Sequence, residues 1–164
     1  MKRDYPLFIG PALTVLLLDQ VSKWLIIKQL ELHQGLSVIP GFFNLVLVKN
    51  RGMAFGILSQ IRSGFSYYFL LTATIVAIGF IVFFFFWIKG KEKWLTVGLS
   101  LILGGAVGNL VDRVQFGYVI DFLDFFLKGY HWPAFNVADS AVTAGTFWLF
   151  INILKGKDLK VGKH

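Results

Sequence analysis

Four apolar stretches dominate this chain and leave few folds open to it. Each is long enough to cross the roughly 30 Å of bilayer hydrocarbon, which takes about 20 helical residues at about 1.5 Å each. They run approximately over residues 7–27, 67–88, 95–114 and 138–154. The second is almost free of polar groups and ends in Phe83-Phe84-Phe85-Phe86-Trp87, while the fourth is the shortest and suits a tilted or partly embedded helix. Composition agrees: 56% of the 164 residues are hydrophobic and 15% charged, against about 45–50% and about 25% in soluble domains. The expected fold class is an all-α integral membrane protein of four transmembrane helices. It should form a single membrane domain, 1–164, because neither a repeat nor a separate soluble region is visible.

The first stretch comes after Lys2 and Arg3, so a cleavable secretory signal is its rival reading. Past its apolar core, Asp19-Gln20-Val21-Ser22-Lys23 offers no small-x-small cleavage pattern. It is read as a retained helix.

The formal net charge of +7 could suggest nucleic acid, but its distribution points elsewhere. Nine of the 16 Lys and Arg fall in three short segments: Lys2 and Arg3, then Lys89, Lys91 and Lys93, then Lys155, Lys157, Lys160 and Lys163. An even number of spans separates these segments, and the positive-inside rule puts all three in the cytoplasm. Both termini are then inside, the loops at 28–66 and 115–137 face out, and no nucleic-acid partner is expected. Within the first outer loop, residues 36–39, the Pro40-Gly41 turn and residues 43–48 read as strand, turn, strand. A small β-containing extracytoplasmic segment between helices 1 and 2 is therefore expected. The second outer loop ends in Tyr130, His131, Trp132, Pro133 and Phe135, an aromatic cluster suited to the headgroup level.

Charge also intrudes on the spans. Asp19 and Lys23 lie in the first, Asn109, Asp112 and Arg113 in the third, and Asp139 opens the fourth. An unpaired charge at mid-membrane costs roughly 2.5–3.5 kcal/mol on insertion scales, so these groups must face protein or water and one another. Both outward-running spans carry them near their outer ends, and Asp121 lies in the loop between the third and fourth. The polar groups should therefore converge at the outer leaflet.

Each has a structural reading beside a functional one. Asp19 and Lys23, four apart, could form an intrahelical pair or serve substrate. Asp112 and Arg113 could tie helix ends together, and Gly104-Gly105-Ala106-Val107-Gly108 is a small-residue packing face. Glu31, His33 and Lys128 read as solvated loop residues. Asn136 is placed as an N-cap, with Asp139 at the third helical position, where a capping role competes with a chemical one. If Asp121 approaches Asp139, two neighbouring carboxyls would share a proton, one acting as base on a water and the other as acid. Asp124 is an equal candidate on spacing, because Asp121-Phe122-Leu123-Asp124 offers two carboxylates one turn apart.

Five motifs together resemble a known family. They are Asp19-Gln20-Val21-Ser22-Lys23; Asn50-Arg51-Gly52-Met53-Ala54-Phe55; residues 104–113 from Gly104-Gly105 to Asp112-Arg113; Val119-Ile120-Asp121-Phe122; and Phe135-Asn136-Val137-Ala138-Asp139-Ser140. Their order and spacing resemble lipoprotein signal peptidase (signal peptidase II), an aspartyl intramembrane peptidase. The resemblance implies a catalytic pair of Asp121 and Asp139 rather than Asp124. It implies that Asp19, Lys23, Asn50, Asn109, Asp112, Arg113, Asn136 and Ala138 line or support the site. It also implies diacylglyceryl-modified prolipoprotein substrates cut just before the lipidated cysteine, membrane lipid as surroundings, and globomycin-type inhibitors. No metal or organic cofactor is implied, and the location is the bacterial cytoplasmic membrane with the site on its outer side. One departure is Met53, where the family usually has a small residue.

Other chemistries are poorly served. The chain has no Cys, which removes thiolate nucleophiles and thiolate metal sites. A metalloprotease needs a His-Glu-x-x-His helix, and His33, His131 and His164 lie outside the spans. A serine site would need a base near Ser100 or Ser140, and none is placed. The rival from another class is a small proton-coupled transporter relaying through Asp19, Lys23 and Asp112, although no internal symmetry accompanies it.

Overall fold

A computed structural model describes residues 4–32, 35–52, 63–87 and 93–155. Four long helices appear where the apolar stretches stand: α1 (Tyr5–Gln29), α2 (Ser63–Trp87), α3 (Lys93–Phe116) and α4 (Val137–Leu154). All four are long and apolar enough to span a membrane. Each begins before the expected limit, and α1 and α3 also end beyond it, because hydrogen bonding continues past the apolar run. Ile88, the expected last residue of the second span, lies outside the described residues, as do His33, Met53 and the rest of the 53–62 segment.

Helix α3 is the centre of the bundle and packs against α1, α2 and α4. More than half of its span is buried, 56% against 11% for α2 among the described residues. Its glycines set the approach. A Cβ on Gly104 would lie 2.6 Å from the Ala12 carbonyl oxygen of α1, and one on Gly105 would collide with the Ala138 carbonyl oxygen of α4. Adjacent glycines thus admit a helix on either side, as the small-residue pattern suggested. At one end of the bundle Phe8, Ile81, Phe85, Trp94, Leu95 and Leu99 form an apolar core, with the rings of Phe8 and Phe85 stacked at 3.9 Å.

The other end carries a sheet. The expected strand-turn-strand is present as β1 (Gly35–Ile39) and β2 (Phe43–Asn50), with Gly41 at φ +78°, a conformation glycine adopts without strain. The second outer segment corrects the sequence expectation. It forms the nine-residue strand β3 (Val119–Leu127) and the short β4 (Tyr130–His131), completing an antiparallel sheet in the order β1-β2-β3-β4. The molecule is therefore a helical bundle with a four-stranded sheet, and the β structure is not confined to the segment between the first two helices. A bulge in β2 between Leu45 and Val48 adjusts the register that sets Val48 opposite Asp121. Ile26, Leu47, Ile120 and Phe122 form a second apolar core that joins the sheet to α1.

Candidate active site

The polar residues of α1, α3 and α4 meet at the sheet end of the bundle, as the positions of charge within the spans implied. Lys23 is 2% exposed, Asp19 0% and Asp112 1%. The Lys23 ammonium lies 2.7 Å from Asp19 Oδ2 and 2.8 Å from Asp112 Oδ2. It donates a further hydrogen bond to Asn109 Oδ1 at 3.1 Å. Asp19 and Lys23 are the intrahelical pair the spacing offered, extended across to α3. Asp112 makes no direct ion pair with Arg113, because consecutive helical residues point about 100° apart. Its carboxylate instead accepts Lys23, Gln20 Nε2 at 3.0 Å and the Ile120 backbone N–H at 3.0 Å. Gln20 was not singled out in the sequence; it also donates to Asp19 and to the Gly108 carbonyl. Its signal was a polar side chain inside the first span, beside Asp19.

Asn136 organises the neighbouring site. It caps α4, its Oδ1 accepting the Asp139 backbone N–H at 2.8 Å. That bond fixes which way the amide faces, so Nδ2 points at Asp121 Oδ1, 2.8 Å away. One side chain, itself fully buried, thereby connects the start of α4 to Asp121 on β3. Asp121 Oδ2 accepts Asn50 Nδ2 of β2 at 2.9 Å, and Asp139 Oδ1 accepts Asn109 Nδ2 of α3 at 2.8 Å. The Asp139 carboxyl is thus held by α3. Ala138, fully buried, donates its backbone N–H to Asp19 Oδ1 at 2.9 Å. Arg113 donates to the Asn109 carbonyl oxygen at 3.2 Å, and its charge faces Asp139, Asp112 and Asp121.

Burial pushes the Asp121 carboxyl up to about 7, assisted by the Asp139 charge and opposed by the Asn50 and Asn136 amides and by Lys23. Such a group exchanges a proton near neutrality, as acid–base catalysis requires.

Asp124 faces elsewhere. Residues three apart on a strand point to opposite faces, so the helical turn read from the spacing does not exist. Asp124 accepts Asn44 Nδ2 at 3.1 Å and lies 2.8 Å from His131 Nδ1. It belongs to the β2–β3–β4 hydrogen bonding and makes no contact with the Asn136 cluster among those described. The two serines are spent on backbone: Ser100 donates to the Phe8 carbonyl and Ser140 to that of Asn136. The Asp19, Lys23 and Asp112 cluster is closed, at most 2% exposed.

The match that decides the family covers residues 11–155, with a model described as Signal peptidase (SPase) II. The chain belongs to the signal peptidase II family. Membership makes it a protease, and with its four long apolar helices a multi-pass membrane protein. Among its relatives is a lipoprotein signal peptidase of Syntrophus aciditrophicus, 42% identical over 155 residues and covering 94% of this chain and 96% of the relative. Another, from Syntrophotalea carbinolica, is 46% identical over 140 residues, covering 85% and 86%. A solved structure described as a bacterial membrane enzyme at 1.9 Å resolution superposes with a TM-score of 0.84 at 34% identity, over 94% of this chain and 96% of that one. A second, at 2.3 Å, gives 0.82 at 36% identity over 99% and 96%.

The residues the family resemblance singled out, Asp19, Lys23, Asn50, Asn109, Asp112, Arg113, Asp121, Asn136, Ala138 and Asp139, join one continuous network. Met53, Ala54 and Phe55 of the outer-loop motif lie outside the described residues.

Proposed function

We propose that this chain removes the signal peptide from diacylglyceryl-modified prolipoproteins, cutting just before the lipidated cysteine, with Asp121 and Asp139 as the catalytic pair. The observation that carries the reading is Asn136, whose side chain bonds Asp121 Oδ1 at one end and the Asp139 backbone N–H at the other. The aspartates are held as neighbours, and the burial of Asp121 disfavours a second negative charge beside Asp139. The pair holds one proton. One carboxylate takes a proton from water as its oxygen attacks the scissile carbonyl carbon; the other carboxyl protonates the carbonyl oxygen. When the tetrahedral intermediate collapses, the C–N bond breaks and the proton passes to the leaving amine of the lipidated cysteine. Asn50, Asn109 and Asn136 hold the pair, and Arg113 offers a cation beside it.

The names of the relatives, lipoprotein signal peptidases throughout those cited, support the substrate class. A diacylglyceryl group reaches such a site from lipid, which suits its place at one end of the bundle. The chain is placed in the bacterial cytoplasmic membrane as a single membrane domain, with both termini cytoplasmic and the site on the outer face. Globomycin-type compounds should inhibit it.

The test is cleavage of a lipidated prolipoprotein by purified protein in detergent, followed as a gel shift. Asp121→Asn and Asp139→Asn should each abolish the shift while the protein still inserts and folds; full activity in either sinks the pair. Asp124→Asn should keep substantial turnover, since that carboxylate serves the sheet.

A further inference from the structure

We propose that Lys23 is a positioning residue whose ammonium sets the places of Asp121 and Asp139 through three separate arms, without touching substrate; this rests on the reading of those aspartates as the reacting pair.

An ammonium has three donors and no acceptor, and Lys23 has three buried acceptors: Asp19 Oδ2 at 2.7 Å, Asp112 Oδ2 at 2.8 Å and Asn109 Oδ1 at 3.1 Å. Each acceptor hands the constraint on. Asp112 receives the backbone N–H of Ile120, the residue before Asp121. Asp19 receives the backbone N–H of Ala138, the residue before Asp139. Asn109, its oxygen committed to Lys23 and to Asn136 Nδ2, must turn its own Nδ2 outward, and there it meets Asp139 Oδ1 at 2.8 Å. Two arms therefore fix the backbone immediately before each aspartate, and the third orients one carboxyl directly.

The arms start at one atom and end on two elements, one on β3 and two on α4. Strand β3 and the first turn of α4 are thereby held in one frame with α1 and α3, although Asp19 and Ala138 are 119 positions apart in the chain. A compact ammonium can serve three acceptors at once, whereas a planar guanidinium offers a rigid fork of different shape. At 2% exposure, with every donor used, Lys23 has nothing left for substrate.

The charged groups facing Asp121 are Lys23 from α1, Arg113 from α3 and Asp139 from α4; from β2 it meets the neutral Asn50. Lys23→Met therefore both loosens the frame and removes a cation that favours the ionised pair. In the purified full chain, Lys23→Met should lower kcat by at least about 100-fold and leave KM for the lipidated substrate within about threefold. The alkaline limb of the pH profile should move up by about one unit. Lys23→Arg, which keeps the charge, should restore the limb but stay roughly tenfold slow. A raised KM with unchanged kcat would mean substrate contact and overturns the proposal. So does a rate loss that merely tracks the folded fraction while the pH limb stays put.

Should Lys23→Met fail to fold, Asp112→Asn keeps the side chain's shape and an acceptor for the Ile120 N–H. Folded Asp112→Asn should lose about tenfold in kcat at constant KM; wild-type kcat overturns the tether. Asp121→Asn and Asp139→Asn are measured beside these. Turnover in either removes the pair and the proposal with it, whereas inert aspartate variants beside a Lys23→Met enzyme of wild-type kcat remove the tether alone.

Discussion

A carboxyl that is 2% exposed and faces a second carboxyl resists ionisation, and Asp121 is held up to about 7 for that reason. The sign of the consequence is set by the unfolded value of about 3.9. Below that pH Asp121 is protonated folded or unfolded, and its burial has no ionisation cost. As pH rises toward 7 the unfolded chain gains a charge that the folded chain resists, so stability is lost across that window and levels off above it. Three units correspond to about 4 kcal/mol. Thermal unfolding in detergent should therefore show Asp121→Asn gaining on the wild type between pH 4 and 7, with a constant difference above. Activity has its own limb: if the pair must hold one proton, turnover falls as pH rises through about 7, where burial holds Asp121. A profile flat from pH 6 to 9 would contradict that. Much of this was visible at the residue level, since Asp19, Lys23, Asn109 and Asp139 announced themselves by cost. The choice between Asp121 and Asp124 was not. In Val119-Ile120-Asp121-Phe122-Leu123-Asp124 both strand faces carry apolar residues, so the period-two alternation that would have separated the aspartates is hidden.

At the scale of elements, closeness is set by glycine. Gly105 lies against the Ala138 carbonyl oxygen, a backbone atom that cannot step aside without moving the start of α4 and with it Asp139. Gly105→Ala should cost about 1–3 kcal/mol of stability and depress turnover. Gly79→Ala meets open space on α2 and should be neutral or stabilising by up to about 1 kcal/mol. Melting temperatures of the two variants check the contrast; equal effects would mean that the close α3–α4 approach is not what Gly105 serves. The small-residue run predicted packing without saying against what, because composition marks a narrow face and tertiary structure supplies the partners. The sheet was legible by half. Pro40-Gly41 flanked by apolar residues is a local turn signal, whereas β3 pairs with a strand some 70 to 80 positions away, a relation no local pattern contains.

On the scale of the whole molecule, the charge distribution and the fold place different things. Nine basic residues in three segments argue for two termini on one side; the described structure places the polar cluster and the sheet at one end of the bundle. A reporter that works only in the cytoplasm should be active when fused at either terminus and silent when inserted in the turn at Pro40-Gly41. Activity at the turn would reverse the assignment. The span boundaries were legible to within a few residues because length and hydropathy are enough for a helix in lipid. The assembly of the site was not, because its parts come from α1, β2, α3, β3 and α4. That dispersal carries a consequence for biogenesis. Asn136, Ala138 and Asp139 arrive with α4, after the other contributors have left the ribosome. A nascent chain cut short before residue 136 can insert three helices, yet it has neither the cap that aims at Asp121 nor the second carboxyl. On the proposed chemistry, hydrolysis starts only once α4 docks and brings the second carboxyl to Asp121.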